Sequence, residues 1–371
     1  MEPIRVLHVV SSLSKGSGVV NMIMNLYKNI DRSRMQFDFM YFFEKEYSFE
    51  KEIIDFGGNV HHFPVSRPKE LIMTMSSMSD FFSKHKEYKI LHVHVPSLAW
   101  FVMTIAKFNK IQNRIIHSHG TMYGEGTLKT IRNFIFFKIT LLGANRYWAC
   151  SKAAAKFAFG AKKVIRGNVN IVNNSIDMKK FRYSHKIRDD IRNRLGLSGE
   201  IVVGHVGGFV PVKNHKFLID VFNELKKTHE KCVLLLIGEG PLVASVVEYA
   251  KMKKVSESVF FLGARSDVND LMQAMDILVL PSFKEGFPVV SVEAQAAGLN
   301  CLLSDTITEE VRLTNLVHYL SLSQGPEEWS NKIVEIVKGN KRDEITYESK
   351  LELFDNEKAS TKLEQYYLDL L

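Results

Sequence analysis

The stretch ILVLPSFKEGFPVVSVEAQAAG, residues 277–298, reads as a buried strand, a short polar turn and a helix. Ile277–Leu280 is apolar at every position, as a strand covered on both faces of a parallel sheet has to be. Ser282, Glu285 and Gly286 fall in the turn, and the helical pattern starts near Phe287. A strand running straight into a helix is the joint of a βαβ unit, so this segment alone favours an open parallel α/β sheet.

The same alternation continues on both sides. Upstream lie Ile201–His205, Cys232–Ile237 and Val259–Leu262, and downstream lies Cys301–Ser304. The amino-terminal half repeats the pattern with Arg5–Val10, Gln36–Phe43, Val60–Phe63, Ile90–His94, Arg114–His117 and Arg146–Ala149. Helical patterns such as Val19–Asn29 and Ser97–Asn109 separate them. Residues 175–200 are polar and charge-rich without a strand pattern, and read as a linker. The expected chain is α/β, with two Rossmann-like, doubly wound parallel-sheet domains, 1–174 and 201–354, and a last helix at about 355–371 that packs back on the first. Two such sheets in tandem would face a cleft, and open α/β sheets bind ligands at the carboxyl ends of their strands.

Composition agrees with this organisation. The 371 residues are 46% hydrophobic and 24% charged, which excludes disordered and fibrous classes. Three distant cysteines, Cys150, Cys232 and Cys301, form no disulfide framework and fit a reducing compartment. The first ten residues lack a basic n-region, and no apolar run approaches the roughly 18 residues of a membrane span. A cytoplasmic chain is therefore expected, touching a membrane only at its surface. The net charge of +8 is unevenly spread. Residues 1–99 carry 12 basic and 11 acidic side chains, residues 100–185 carry 15 and 2, and residues 186–371 carry 22 and 28.

Four segments carry candidate chemistry. Glu285 and Glu293 bracket the start of a helix, whose free N–H groups and positive dipole end suit a diphosphate. Carboxylates on either side suit sugar hydroxyls. By spacing alone a helix cap and a solvated glutamate serve as well, but Glu293 stands among small apolar residues, where a carboxylate calls for a ligand or partner. In GHVGGFVPVKNH, residues 204–215, Gly207 and Gly208 allow close backbone approach and Lys213 offers a compact cation for phosphate, although a surface lysine after a glycine turn is common. No G-x-G-x-x-G fingerprint is present, which speaks against a nicotinamide cofactor. Gly16-Ser17-Gly18 opens the first helix, as a phosphate contact or a plain turn. His119 ends a strand and reads either as a sugar contact and proton relay or as a structural histidine. The pairs His92/His94 and His117/His119 hint at a metal, but no carboxylate or cysteine completes a set and no D-x-D triplet occurs, so no metal is expected.

These segments resemble the retaining glycosyltransferases of family 4, which have the GT-B fold. The resemblance rests on LIGEGPL (236–242), VFFLGARSDVNDLMQAMDILVLPSFKEGFPVVSVEAQAAG (259–298), SDTITEEV (304–311), VNNSIDMKKF (172–181), MNLYKNID (24–31) and IIHSHGT (115–121). It covers essentially the whole chain, and the bacterial capsular and exopolysaccharide enzymes are its nearest subgroup. It implies a nucleotide-diphosphate sugar as substrate, a UDP-sugar above all, with no cofactor and no metal. Glu285 would bind the transferred sugar, Glu293 the ribose, and Lys213 the leaving diphosphate. Gly286 and Phe287, with Ser282, Pro288 and Val289 beside them, would hold sugar and phosphate. The Leu262–Arg265 loop would hold the base, Gly18 would lie over the phosphates, Gly207 and Gly208 would belong to the donor site, and His119 would line the sugar pocket. The family usually has an arginine at the position of Gly208 and a glutamine at that of Val212.

The basic stretch GTLKTIRNFIFFKITLLGANRY, residues 126–147, interleaves Lys129, Arg132 and Lys138 with Phe134, Phe136, Phe137 and Ile139. This suits an anionic membrane surface, or equally a helix with an aromatic core face and a solvated cationic one. No nucleic-acid motif accompanies the charge, and nucleic acid is not expected as a partner. The expected function is retaining transfer of a sugar to a lipid-linked or growing polysaccharide acceptor at the inner membrane face. The alternatives are a non-hydrolysing sugar-nucleotide epimerase of the same fold and a catalytically weak sugar-nucleotide-binding partner.

Overall fold

A computed structural model describes residues 2–65, 68–95, 98–120, 127–339, 342 and 349–371. The chain forms two compact units, Met1–Ser175 with Asn356–Leu371, and Ile176–Asp355. No helix among the described residues is long and apolar enough to cross a membrane.

The first unit is built on a parallel sheet of seven strands among the described residues, in the order β3-β2-β1-β4-β5-β6-β7. These are β1 (Ile4–Val9), β2 (Met35–Tyr41), β3 (Val60–His62), β4 (Ile90–Val93), β5 (Asn113–Ser118), β6 (Arg146–Ala149) and β7 (Asn170–Ile171). Strand order reverses between β1 and β4, where His8 lies opposite His92. Leu7, Val9, Leu91, Val93 and Ile116 point to one core layer, while Val6, Ile90 and Ile115 point to the other. The helix Asn356–Leu368 closes that second layer, where Ser360 Oγ donates to the Leu26 carbonyl at 3.0 Å.

The helix Thr127–Gly143 corrects one expectation. Phe137 is buried in the core against Phe159, and Phe136 stacks on Trp100 at 5.5 Å, so neither ring is offered to a membrane. Helical period decides this, because 137, 140 and 144 share the face turned to the sheet. Leu128, Ile131, Ile135, Ile139 and Leu142 form the exposed apolar stripe instead. Arg132 and Lys138 are exposed beside it, and Lys138 lies over the Phe134 ring. The Lys129 side chain, Ser97, Thr121 and Gly126 lie outside the described residues.

The second unit holds a parallel sheet of six strands among the described residues, in the order β10-β9-β8-β11-β12-β13. They are β8 (Ile201–Val206), β9 (Cys232–Ile237), β10 (Val259–Gly263), β11 (Ile277–Leu280), β12 (Asn300–Ser304) and β13 (Val317–Leu320). The order reverses between β8 and β11, and both strands end in the loops that carry the candidate site. Residues 175–200 contain two helices, Met178–Phe181 and His185–Arg194. Ile191 buries one face of the second, while Arg188 and Arg192 grip Asp276, Arg188 Nη2 lying 2.5 Å from Oδ1. Short β7 and the polar-flanked β13 carry too little pattern to be read from sequence.

Candidate functional site

The site in the second unit is made where β8 and β11 end. After β8 the chain passes through Gly207 and Gly208 into a 3₁₀ turn, Pro211–Lys213, and Asn214 enters the left-handed region at φ 56° before the helix His215–Thr228. Asn214 Nδ2 donates to the Pro281 carbonyl at 3.1 Å, and the Phe283 N–H donates to the Val212 carbonyl at 2.9 Å. These bonds stitch the two loops together and bring Lys213 to Glu285, with Nζ 2.7 Å from Oε1. The Ser282 hydroxyl donates to the same Oε1 at 2.7 Å. Ser304 and Thr306 hydroxyls hold the Ser282 carbonyl at 2.5 and 2.9 Å. A cation and a carboxylate, each less than one-fifth exposed, thus face each other at the sheet's switch point.

Close backbone packing sets where Lys213 runs. A Cβ on Gly207 would stand 3.2 Å from Lys213 Cε, so the lysine stem uses the space that a side chain would fill. Gly238, at φ +139°, and Gly240, at φ +155°, press against the carbonyls of Gly207 and Phe209, and a Cβ on either would clash with backbone at 2.1 and 2.6 Å. Gly208 differs, since its Cβ would meet only the Glu239 carbonyl at 3.5 Å, an ordinary contact.

The helix Val289–Ala296 starts two residues later than its sequence suggests, with Pro288 as its N-cap residue and no side chain capping it. Gly286 and Phe287 lead into it, and Phe287 stacks on Phe354 with ring centres 5.4 Å apart. Val289 is half-buried at the first turn, and Glu293 follows one turn later. No side chain among the described residues pairs with the Glu293 carboxyl, and burial pushes its pKa up to about 7. Neighbouring Ser291, Val292 and Ala294 are fully buried, while Glu293 itself keeps part of its surface open. Leu262 packs on the core at the end of β10. Arg265 is held by Asp267, Nε to Oδ1 at 2.7 Å and Nη2 to Oδ2 at 2.6 Å, so its charge is already matched.

The first unit carries Gly18 and His119. Gly18 opens the helix Gly18–Tyr27, where Ser17 caps the Val20 N–H, and nothing lies within 4 Å of where its Cβ would be. His119 Nε2 bonds His94 Nδ1 at 2.8 Å, and burial lowers the His119 pKa to about 3. This histidine belongs to a layer with His8, His92, His94 and His117, which the sequence showed only as two alternating pairs. Hollows lie in this unit. One, about 540 Å³, is lined by Ser11, Ser12, Phe43, Glu44, Lys45 and His62 among others.

Residues 187–351 match the family model of glycosyl transferases group 1, and residues 16–180 match that of glycosyltransferase family 4. EpsF of Bacillus subtilis (strain 168), assigned as a glycosyltransferase, is 32% identical over 333 residues, 89% of this chain and 86% of its own. The chain belongs to this glycosyltransferase family. The glycosyltransferase is also 21% identical over 387 residues to the capsular polysaccharide biosynthesis glycosyltransferase CapH of Staphylococcus aureus, covering 98% and 99% of the two chains. A UDP-Gal:alpha-D-GlcNAc-diphosphoundecaprenol alpha-1,3-galactosyltransferase of Escherichia coli is 22% identical over 244 residues, 63% of each chain. Among solved structures, Anabaena Alr3699/HepE in complex with UDP-glucose superposes with a TM-score of 0.80 at 17% identity, over 98% of this chain and 99% of the other. The glycosyltransferase therefore has the GT-B fold that its sequence led us to expect.

Proposed function

We propose that this glycosyltransferase moves a sugar with retention from a UDP-sugar to a lipid-linked or growing polysaccharide acceptor, in capsule or exopolysaccharide assembly at the inner membrane face. The observation that carries the reading is the Lys213–Glu285 pair at the switch point of the second sheet, with the carboxyl of Glu293 left without a partner nearby. Lys213 neutralises the diphosphate as it leaves, Glu285 accepts hydrogen bonds from the transferred sugar, and Glu293 accepts the ribose hydroxyls. Ser282, Gly286, Phe287, Pro288 and Val289 frame sugar and phosphate, and Leu262 with the Arg265 loop frames the base. The acceptor hydroxyl attacks the anomeric carbon on the face from which the diphosphate departs, and its proton passes to the leaving phosphate oxygen. The protein's part is positioning and charge stabilisation, and no metal takes part in the step. Two relatives support the substrates, one named for a UDP-sugar and an undecaprenyl-diphosphate acceptor and one for capsular polysaccharide biosynthesis.

The acceptor is read to bind the first unit, with His119 lining the sugar pocket. The exposed stripe Leu128–Leu142, flanked by Arg132 and Lys138, supports docking to an anionic bilayer. The test is a thermal-shift panel of nucleotide sugars, followed by transfer from the best donor into membrane extract. Glu285→Ala should abolish transfer while the protein keeps its fold and circular dichroism, and turnover unchanged from wild type would overturn the assignment. Gly208, where relatives by resemblance carry arginine, favours a second reading as a weakly active donor-binding partner, marked by donor affinity without transfer.

A further inference from the structure

Five imidazoles share one face of the first sheet. His8 comes from β1, His92 and His94 from the end of β4, and His117 and His119 from the end of β5. Two-residue alternation puts all five in the layer closed by the helix Asn356–Leu368. They form two hydrogen-bonded chains. In one, His94 joins His8 through Nε2 to Nδ1 at 3.0 Å and His119 through Nδ1 to Nε2 at 2.8 Å. In the other, His92 joins the Tyr367 hydroxyl through Nδ1 at 2.5 Å and His117 Nδ1 through Nε2 at 3.0 Å. His8 Nε2 and His117 Nε2 are left buried with no hydrogen-bond partner, and both residues are 1% exposed. An unmet ring nitrogen in such a place is costly, and that of His117, which lies next to His119, asks for an occupant.

We propose that His94, His117 and His119 form a binding site for a divalent transition metal of the zinc class, with water as the fourth ligand. One ring nitrogen from each lies within 4.8 Å of the other two. Ligand nitrogens around tetrahedral zinc stand roughly 3.4 Å apart, so side-chain rotations of about 1 Å complete the site. The ion enters between His94 Nδ1 and His119 Nε2 and takes up the free Nε2 of His117. His8, His92 and His94 meet the same distance limit. That inner set is fully buried, however, whereas His119 is half-buried next to Gly120, beside which a Cβ would meet nothing within 4 Å. The outer set is therefore the one that, among the described residues, includes a ligand that is not fully buried.

Proton balance is satisfied by tautomer choice alone. With the metal on His94 Nδ1, the His94 Nε2–H donates to His8 Nδ1. With the metal on His117 Nε2, the His117 Nδ1–H donates to His92 Nε2, and the His92 Nδ1–H donates to the Tyr367 oxygen. The proton shared between His94 Nδ1 and His119 Nε2 moves to His119 Nδ1, so every ring stays neutral and no proton is released. Each of these two ligands thus has a partner that fixes its ring, as metal-bound histidines usually do. Imidazole donors without thiolate or carboxylate suit zinc, copper and nickel rather than magnesium or calcium. The site belongs to the first unit and does not rest on the Lys213–Glu285 pair, although it uses His119, which the proposed function places at the sugar pocket.

Tag-free, metal-stripped full-length protein titrated with Co²⁺ tests the proposal. The expected result is one equivalent bound, with the intense visible absorption of four-coordinate Co²⁺, displaced by Zn²⁺, and a melting temperature raised by Zn²⁺. His94→Asn and His119→Asn should weaken binding at least ~100-fold, and Tyr367→Phe, which loses an outer hydrogen bond, about tenfold. His185→Asn on the other unit should change nothing. Circular dichroism confirms that each variant is folded before titration, and His119→Asn, at the half-buried position, serves if a deeper variant fails to fold. Less than half an equivalent, a weak six-coordinate spectrum, or a folded His119→Asn that titrates as wild type would each overturn the site.

Discussion

At the scale of single residues, Glu293 and Gly208 make opposite statements about cost. Burial pushes the Glu293 carboxyl from its ordinary 4.5 to about 7. A carboxyl raised in the folded state binds a proton that the unfolded chain has already lost. Stability therefore falls as pH rises from about 4.5 to about 7 and is level above that. At roughly 1.4 kcal/mol per pH unit the bound on this loss is about 3.5 kcal/mol. Glu293→Gln should then be more stable than wild type in urea at pH 8 and indistinguishable at pH 5, while nucleotide-sugar affinity drops roughly tenfold for the lost charged acceptor. Equal gains at both pH values would show that packing, not charge, was changed. Gly208 instead leaves room, since its Cβ direction is open and its backbone needs no left-handed angle. Gly208→Arg should fold normally and raise turnover, by tenfold or more if a second cation on the diphosphate stabilises charge as oxyanion donors do. Steady-state kinetics with the best donor decide it. The candidate residues Lys213, Ser282, Glu285 and Glu293 were all legible in the sequence. Their contacts were not, because the Asn214 and Phe283 bonds that bring the loops together join positions some 70 residues apart in the chain.

At the scale of elements, the helix Thr127–Gly143 shows how composition can name a segment and miss its face. Basic and aromatic residues marked it out, yet the rings at 136 and 137 turn to Trp100 and the core, while aliphatic residues at 128, 131, 135, 139 and 142 turn outward. Spacing of three and four residues contained this information, but several overlapping apolar stripes are possible in so apolar a helix, and only the sheet beneath selects one. Replacing Ile131 and Ile135 with serine should leave the melting temperature within a few degrees, because both are about half exposed, and should cut binding to anionic vesicles. Neutralising Arg132 and Lys138 should cut it further and remove its salt dependence, at about 1 kcal/mol per charge. Sedimentation with vesicles at low and high salt provides the measurement. Binding that ignores all four changes would leave the stripe without a membrane role.

At the scale of the whole molecule, the two units should answer acid differently. Burial holds His8 and His119 down to about 3 and His92, His94 and His117 well below their ordinary value. A histidine depressed in the folded state contributes full stability above about 6.5, and the contribution is lost as pH falls, because the unfolded chain takes the proton first. The second unit carries His205 and His215, lowered to about 4 and about 3, and gains from Glu293 as pH drops. Trp148, whose ring lies 4.8 Å from that of His92, should therefore change fluorescence at higher pH than Trp329 in the second unit, followed in single-tryptophan variants. Coincident transitions would argue against it. The sequence by itself determined the α/β class, the duplicated parallel-sheet plan and the candidate carboxylates and lysine of the loops after β8 and β11, because strand–turn–helix periodicity and helix-start chemistry are local. Only the tertiary structure decided which helix face is exposed, that residues 178–194 lie on the second unit, and that histidines from three strands meet under Tyr367. Those outcomes depend on strand order and on long-range packing, which a linear pattern of residues does not encode.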